Sequence, residues 1–375
     1  MAPPPFSMYS PKSPDGDGPD VAPVFGAGPG DDPGYLASLR TATELGRLRA
    51  MMLVLLAAPV LILVIMPLIV QDGREDAPPW LYAPLAAAAL LALLRAGGHR
   101  ELAVEDPTSV RQLPMMETAG LRLVRVPVDE EGLDVAALAA GGARTVLVTP
   151  AHQYPTGVVL SAARRAALIA WARDVDGLIL EDDYDAEFRY DRDPVGCLQG
   201  VDPDRVVLLG SVSKSLAPAL RLGWAVAPPS TAARLRDHRA VTDLGAPILE
   251  QHALTEFLRG GGYDRHLRTM RRRYRARRDA LAAALDAHLP DARVHGVSAG
   301  IHLYVELPPG CDEDETVARA ARAGVAVTGA RSLWSAERAA AAPPALVLGY
   351  AGLSETRLVK AAELLGQAVT HGADG

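Results

Sequence analysis

Three short segments concentrate the side chains best suited to chemistry. Residues 149–157 read TPAHQYPTG, residues 181–190 read EDDYDAEFRY, and residues 210–224 read GSVSKSLAPALRLGW. Each follows an apolar, β-branched run, and in open α/β sheets ligands sit at the carboxyl ends of the strands. Together the segments supply a lysine, an acid, a phenol, two hydroxyls and an arginine, the set of groups that pyridoxal phosphate needs. Taken singly, each has an ordinary reading. A lone lysine after a strand is a solvated cation, an acidic turn is a solvated turn, and a serine there ends a strand or caps a helix.

The elements around these segments set the fold class. Residues 121–127, 145–150, 177–183 and 205–210 read as strands, and residues 161–173 as a helix with Ser161 at its N-cap. Near-continuous apolar strands joined through helices predict an α/β fold with a mostly parallel sheet covered on both faces. After Pro247 a helical region runs to about Leu289. Within it, residues 265–278 (RHLRTMRRRYRARR) carry an apolar stripe, Leu267, Met270, Tyr274 and then Leu281, beside a solvated basic face. A smaller α+β unit follows, with strands at residues 301–307 and 345–350.

The first hundred residues differ in composition. Residues 1–39 are crowded with Pro, Gly and Asp and read as a disordered tail without a signal-peptide layout. Residues 51–70 (MMLVLLAAPVLILVIMPLIV) hold no charge, and about 20 such residues match a ~30 Å hydrocarbon core. A second apolar run, residues 77–94, follows a short acidic link. Arg40, Arg47 and Arg49 flank the first run and Arg95 and Arg100 the second, so a two-span hairpin over residues 40–96 with both ends in the cytoplasm is expected. That places the protein in the membrane, with the chemistry-bearing domain on the cytoplasmic side. The net charge of −7 over 375 residues argues against a nucleic-acid-coating protein. The two cysteines, Cys197 and Cys311, exclude a disulfide scaffold and a Cys-rich zinc site.

The three segments, in order and nearly word for word, resemble fold-type I pyridoxal-phosphate aminotransferases of class I/II. They are most similar to the aminotransferase-like domain of MocR-type regulators of the GntR superfamily. The resemblance runs from about Glu101 to Leu365 and implies a three-layer, parallel-rich α/β domain of PLP-transferase type with a smaller C-terminal α+β domain. The corresponding divisions are a partial cofactor-binding domain at 101–250, a helical region at 251–289 and a small domain at 290–370. It further implies that Lys214 forms the Schiff base with pyridoxal 5'-phosphate and moves the α-proton of an amino acid or amine. Asp182 takes the acid position facing the pyridine nitrogen, with Glu181 and Asp183 as neighbours that could be confused with it. Tyr184 would donate to the cofactor's phenolic oxygen, and Ser211, Ser213 and Arg221 match the phosphate grip, for which arginine's fork suits two oxygens at once. His152, Gln153 and Tyr154 lie where relatives place a side chain near the cofactor oxygen, and the sequence leaves open which of them reaches it.

The departures from the family are equally specific. Residues 1–100 hold no Gly-Ala-Gln-like turn before a helix, the feature with which relatives meet the cofactor phosphate. Ser109 stands where relatives carry a stacking tyrosine, and Val347 falls where many carry the arginine for a substrate carboxylate, with Arg331 a nearby substitute. A winged-helix reader is also missing, so no nucleic-acid partner is expected. A homodimer is compatible with the resemblance. Amino transfer between an amino acid or amine and a 2-oxo acid is therefore set beside two alternatives: a membrane-tethered cofactor-binding or ligand-sensing module without turnover, and an inactive truncated aminotransferase fusion.

Overall fold

A computed structural model describes residues 85–185, 187–190, 196–242 and 248–370. Its first sheet is built from β1 (Glu101–Asp106), β2 (Arg122–Asp129), β3 (Gly132–Leu133), β4 (Thr145–Val148), β5 (Leu178–Asp183), β6 (Val206–Ser211) and β7 (Gly223–Val226). The seven strands lie in the order β3-β2-β1-β4-β5-β6-β7. β2, β1, β4, β5 and β6 run parallel, while β3 and β7 close the two edges antiparallel.

Alternation along the strands sorts the core into two layers. Leu102 and Val104 of β1, Leu180 of β5 and Val207 of β6 face one side. They meet α1 (Leu85–Ala96), α2 (Leu113–Thr118) and α5 (Pro229–Thr242) through Leu90, Leu91, Leu94, Met116, Ala232 and Leu235. Their neighbours Ala103, Ile179 and Val206 face the other side, against α3 (Val135–Ala140) and α4 (Ala162–Asp174) through Leu138, Leu168 and Trp171. The expected helix is α4, and Ser161 caps it by accepting from the Arg164 amide at 3.2 Å.

The expected second membrane span, residues 77–94, is corrected by α1. Its described portion, residues 85–94, lies in a helix whose Leu90, Leu91 and Leu94 are buried under the sheet. Its lack of a polar face has a different cause, since α1 is covered on one side by the sheet and on another by α5. Among the described residues no helix is long and apolar enough to cross a membrane, which overturns the expected membrane localisation and leaves the expected membrane contact of residues 51–94 without support. The first expected span, residues 51–70, and the tail, residues 1–39, lie outside the described residues.

The helical region after Pro247 is two helices, α6 (Ile248–Arg259) and α7 (Gly262–His288), broken at Gly260-Gly261. On α7 the stripe read from the sequence is buried at Leu267, Tyr274 and Leu281, with Met270 packed at its edge, and Tyr263 and Leu285 extend it. They pack against a second, antiparallel sheet of β8 (Arg293–His295), β9 (His302–Glu306), β10 (Thr328–Gly329) and β11 (Ala345–Gly349), ordered β10-β11-β9-β8. α8 (Glu313–Arg322) and α9 (Glu355–Thr370) complete that core.

Candidate active site

The loops leaving β4, β5 and β6 converge because the strands are in register. Val148 pairs with Glu181, and Asp182 and Asp183 pair with Leu209 and Gly210. The three motif segments therefore start at one edge of the sheet, its carboxyl end.

Asp182 closes β5. Gln112, just before α2, donates a hydrogen bond to its carboxylate and the Lys214 ammonium favours its charge, but burial outweighs both and pushes its pKa up to about 6. Glu181 points elsewhere: buried, it accepts from the amides of Leu198 and Gln199 at 2.9 and 3.0 Å. Its role is to fold the 196–200 turn onto the sheet, which separates it from Asp182 as a candidate for a ring nitrogen.

Lys214 lies in the turn after β6 with its side chain exposed, and its charge reaches both Asp182 and His302. The turn is held from below. The hydroxyl of buried Ser215 accepts from Tyr263 at 2.8 Å, and His266 donates to the Ser215 carbonyl at 2.7 Å. Ser211 accepts from the Ser213 amide at 3.4 Å, which keeps the two hydroxyl-bearing residues on one tight bend. Arg221 ends the 3-10 turn Pro218–Leu220 in the left-handed region, φ 53°. For a non-glycine residue that costs on the order of 1 kcal/mol, the kind of strain that clusters at functional sites.

Tyr184 is tied into a polar network. Its hydroxyl lies 3.1 Å from His152 Nδ1 and 3.0 Å from the His152 carbonyl, and it also bonds the Asp185 carboxylate. Burial and the nearby carboxylates of Asp185 and Asp182 hold the phenol well above its ordinary pKa, so it stays protonated. Of the three residues left open by the sequence, Gln153 is committed to its own loop. Its amide NH2 donates to the Pro107 and Tyr154 carbonyls at 2.9 and 2.7 Å, and its oxygen accepts from the Thr156 amide and hydroxyl. Tyr154, half-buried, stands edge-on to Tyr184 with ring centroids 6.4 Å apart.

Several participants gave no signal in the sequence. Glu105, buried in β1, accepts from Thr149 Oγ1 at 2.5 Å, and burial raises its pKa to about 7. Gln112 reaches Asp182, and the Arg111 charge is felt at Tyr154. Val347 is buried in a cluster with Tyr304, Ala330 and Leu333, against which Tyr154 packs, so this wall of the site is apolar. Arg331 is exposed in the turn after β10, its amide donating to Glu313 at 2.8 Å.

The acids make stability depend on pH. Glu105 and Asp182 hold protons to higher pH when folded than when unfolded. The folded chain therefore binds more protons between about pH 4 and 7, and its unfolding free energy falls as pH rises through that window. Glu105→Gln is expected to flatten this fall, by on the order of 3 kcal/mol at full effect. Urea unfolding of the cofactor-free chain across the window measures it; a slope identical to the parent's would show that Glu105 titrates normally.

The sequence of residues 85–365 matches the family described as aminotransferase class I and II. The chain belongs to that family. The match begins at α1, the helix that the membrane reading had claimed. Among relatives of this class I and II aminotransferase chain is the HTH-type pyridoxine biosynthesis transcriptional regulator PdxR of Corynebacterium glutamicum, 35% identical over 68% of this chain and 55% of that protein. The probable rhizopine catabolism regulatory protein MocR of Rhizobium meliloti is 34% identical over 58% of this chain and 45% of that protein. The chain thus spans about half the length of the curated relatives it matches. Among solved structures, LysN, the α-aminoadipate aminotransferase of Thermus thermophilus, superposes with a TM-score of 0.70 at 26% identity, covering 78% of this chain and 77% of that one. That structure carries N-(5'-phosphopyridoxyl)-L-leucine.

These findings support pyridoxal 5'-phosphate as the cofactor, in agreement with the sequence. The donor set fits it: an exposed amine at Lys214, a desolvated carboxylate within its electrostatic reach at Asp182, a protonated phenol at Tyr184, and the bend of Ser211 and Ser213 with Arg221 close behind.

Proposed function

We propose that this chain is a pyridoxal-phosphate-dependent aminotransferase acting on an amino acid or amine. The observation that carries the reading is the convergence of Lys214, Asp182 and Tyr184 at the carboxyl edge of β4, β5 and β6, with the Lys214 charge felt at Asp182. Bound there, the cofactor supplies an electron sink that lets a carbon–hydrogen bond beside an amine give up its proton. Lys214 holds the cofactor and then carries that proton between two atoms of the substrate as general base and acid. Its flexible stem and exposed position allow both roles. Asp182 presents its carboxylate to a ring nitrogen, and a cation facing it lowers its pKa again, so the acid is ionised when it is needed. Tyr184 orients the ring through its hydroxyl, and Ser211, Ser213 and Arg221 bind the phosphate. Tyr154 lines the mouth, and Gln153 braces the loop that carries it.

A second reading, a ligand-sensing module without turnover, is favoured by two observations. Ser109 offers no ring to stack, and Val347 leaves an apolar wall where a substrate carboxylate would need a cation. The regulators among the relatives are consistent with it. A two-step titration separates the readings. Pyridoxal 5'-phosphate added to the purified chain is expected to give a protein-bound absorbance band, and a panel of amino acids is then expected to convert it in the absence of any 2-oxo acid. A band that no amine changes chemically, only shifts reversibly, would favour the sensor; absence of a band would reject both.

A further inference from the structure

The network around Tyr184 crosses from the first sheet to the second. His152, in the loop after β4, and Asp185, just after β5, are 4% and 2% exposed, and His152 Nδ1 lies 2.9 Å from Asp185 Oδ2. An ionised carboxylate only accepts, so Nδ1 carries the imidazole proton and donates it to Asp185. That nitrogen then has no lone pair for Tyr184. The phenol's proton goes to the His152 carbonyl at 3.0 Å or to the Asp185 carboxylate, and the orientation of the hydroxyl is set by the pair.

The pair is in turn held by the second sheet. Gly300, just before β9, passes so close that a Cβ there would run into His152 Cε1 and stand 2.7 Å from Asp185 Oδ2. Its carbonyl accepts from the hydroxyls of Tyr190 and Tyr350, and its amide donates to the Phe188 carbonyl at 2.7 Å. His302, first in β9, faces His152 with ring centroids 5.0 Å apart and donates through Nε2 to the Pro155 carbonyl at 3.0 Å. Burial and His152 lower its pKa to about 4, so it is neutral. His152, Asp185 and His302 bring possible metal-ligating atoms within 4.8 Å of one another, but these hydrogen bonds already engage one nitrogen of each ring and the carboxylate.

We propose that His152 and Asp185 are positioning residues that fix the hydroxyl of Tyr184 at the cofactor pocket, and that the backbone at Gly300 and the His302 ring clamp them from the second sheet. The inference rests on the aminotransferase reading for the role of Tyr184, while the network itself does not. The charged and titratable groups around the phenol are Asp182 on β5 and Asp185 after it, Tyr154 and His152 after β4, Lys214 after β6, and His302 on β9.

Two readouts on the full chain test it. In the cofactor-free protein, the Tyr184 13Cζ resonance, assigned with Tyr184→Phe, is expected to move in both His152→Gln and Asp185→Asn. A downfield imidazole N–H proton is expected in the parent and absent from His152→Gln. With pyridoxal 5'-phosphate bound, Tyr184→Phe is expected to displace the pH midpoint of the cofactor's absorbance by roughly one unit, a tenfold change in proton affinity. His152→Gln should move it in the same direction, and the double variant no further than Tyr184→Phe alone. Additive shifts, or an unmoved Tyr184 resonance in folded His152→Gln and Asp185→Asn chains, would overturn the proposal. A parent that takes up no cofactor would reject the aminotransferase reading while the resonance measurement still decides whether the pair orients the phenol. Should His152→Gln fail to melt cooperatively, Asp185→Asn alone decides, because it keeps the shape of the side chain.

Discussion

Replacing Lys214 by alanine is expected to remove the visible absorbance that the chain acquires with pyridoxal 5'-phosphate and to lower amino transfer by at least roughly 10²–10⁴-fold, the usual worth of a positioned proton carrier. The loss is expected without a loss of fold. Lys214 is exposed, whereas its turn is secured by its neighbours, Ser215 through Tyr263 and His266, and Val212 through burial. The thermal midpoint of the cofactor-free variant should therefore match that of the parent. Lys214→Arg is expected to keep the positive charge beside Asp182 without restoring activity, because a guanidinium does not deprotonate at working pH. Activity surviving in Lys214→Ala would move the chemistry to another residue and with it the whole assignment of the site.

The largest structural effect is expected from Gly300→Ala. Gly300 has φ +72°, and the added Cβ would collide with both members of the His152–Asp185 pair. A left-handed non-glycine residue costs about 1–2 kcal/mol and overpacking a buried contact about 1–3 kcal/mol. Together they predict a loss of roughly 2–5 kcal/mol in urea unfolding. Gly310, also at positive φ but with open space around it, isolates the backbone share of the cost. Gly310→Ala should lose no more than about 2 kcal/mol. Equal losses at the two positions would mean that the His152–Asp185 pair yields to Gly300→Ala freely.

Much of the scaffold was legible where residue pattern and burial coincide. β2, β4, β5 and β6 show as β-branched runs, α4 announces itself through Ser161, and the α7 stripe follows helical spacing. β1 escaped notice because a buried strand ending in Glu105 and Asp106 reads as a polar turn. The structure supplies what the sequence could not show: Thr149 and Gln153 for Glu105, and Arg125 and Ser335 for Asp106. α1 failed for the opposite reason. Its Ala- and Leu-rich run fits a bilayer and a core between sheet and helix equally well, and only its partners distinguish the two. In the site, the motif residues stood at the strand ends as expected, since strand register is local in consequence. Their connections were not readable: 33 residues separate His152 from Asp185, and 70 separate Gln112 from Asp182.

Beside the clamp at Gly300 and His302, the loop after β4 meets the second sheet again at Gly157. Gly157 and Gly296 meet backbone to backbone, where a Cβ on Gly296 would stand 2.8 Å from the Gly157 Cα, and the Val297 amide donates to the Gly157 carbonyl at 3.2 Å. With His302 bonded to Pro155 only two residues away, the loop bearing Tyr154 and the second sheet share one fulcrum. A second tie lies beyond β10, where Arg125 donates to the Leu333 carbonyl at 2.8 Å and the Ser335 amide donates to the Asp106 carboxylate at 2.8 Å. The second sheet is thus tied to the first beside both of its edge strands, β8 and β10.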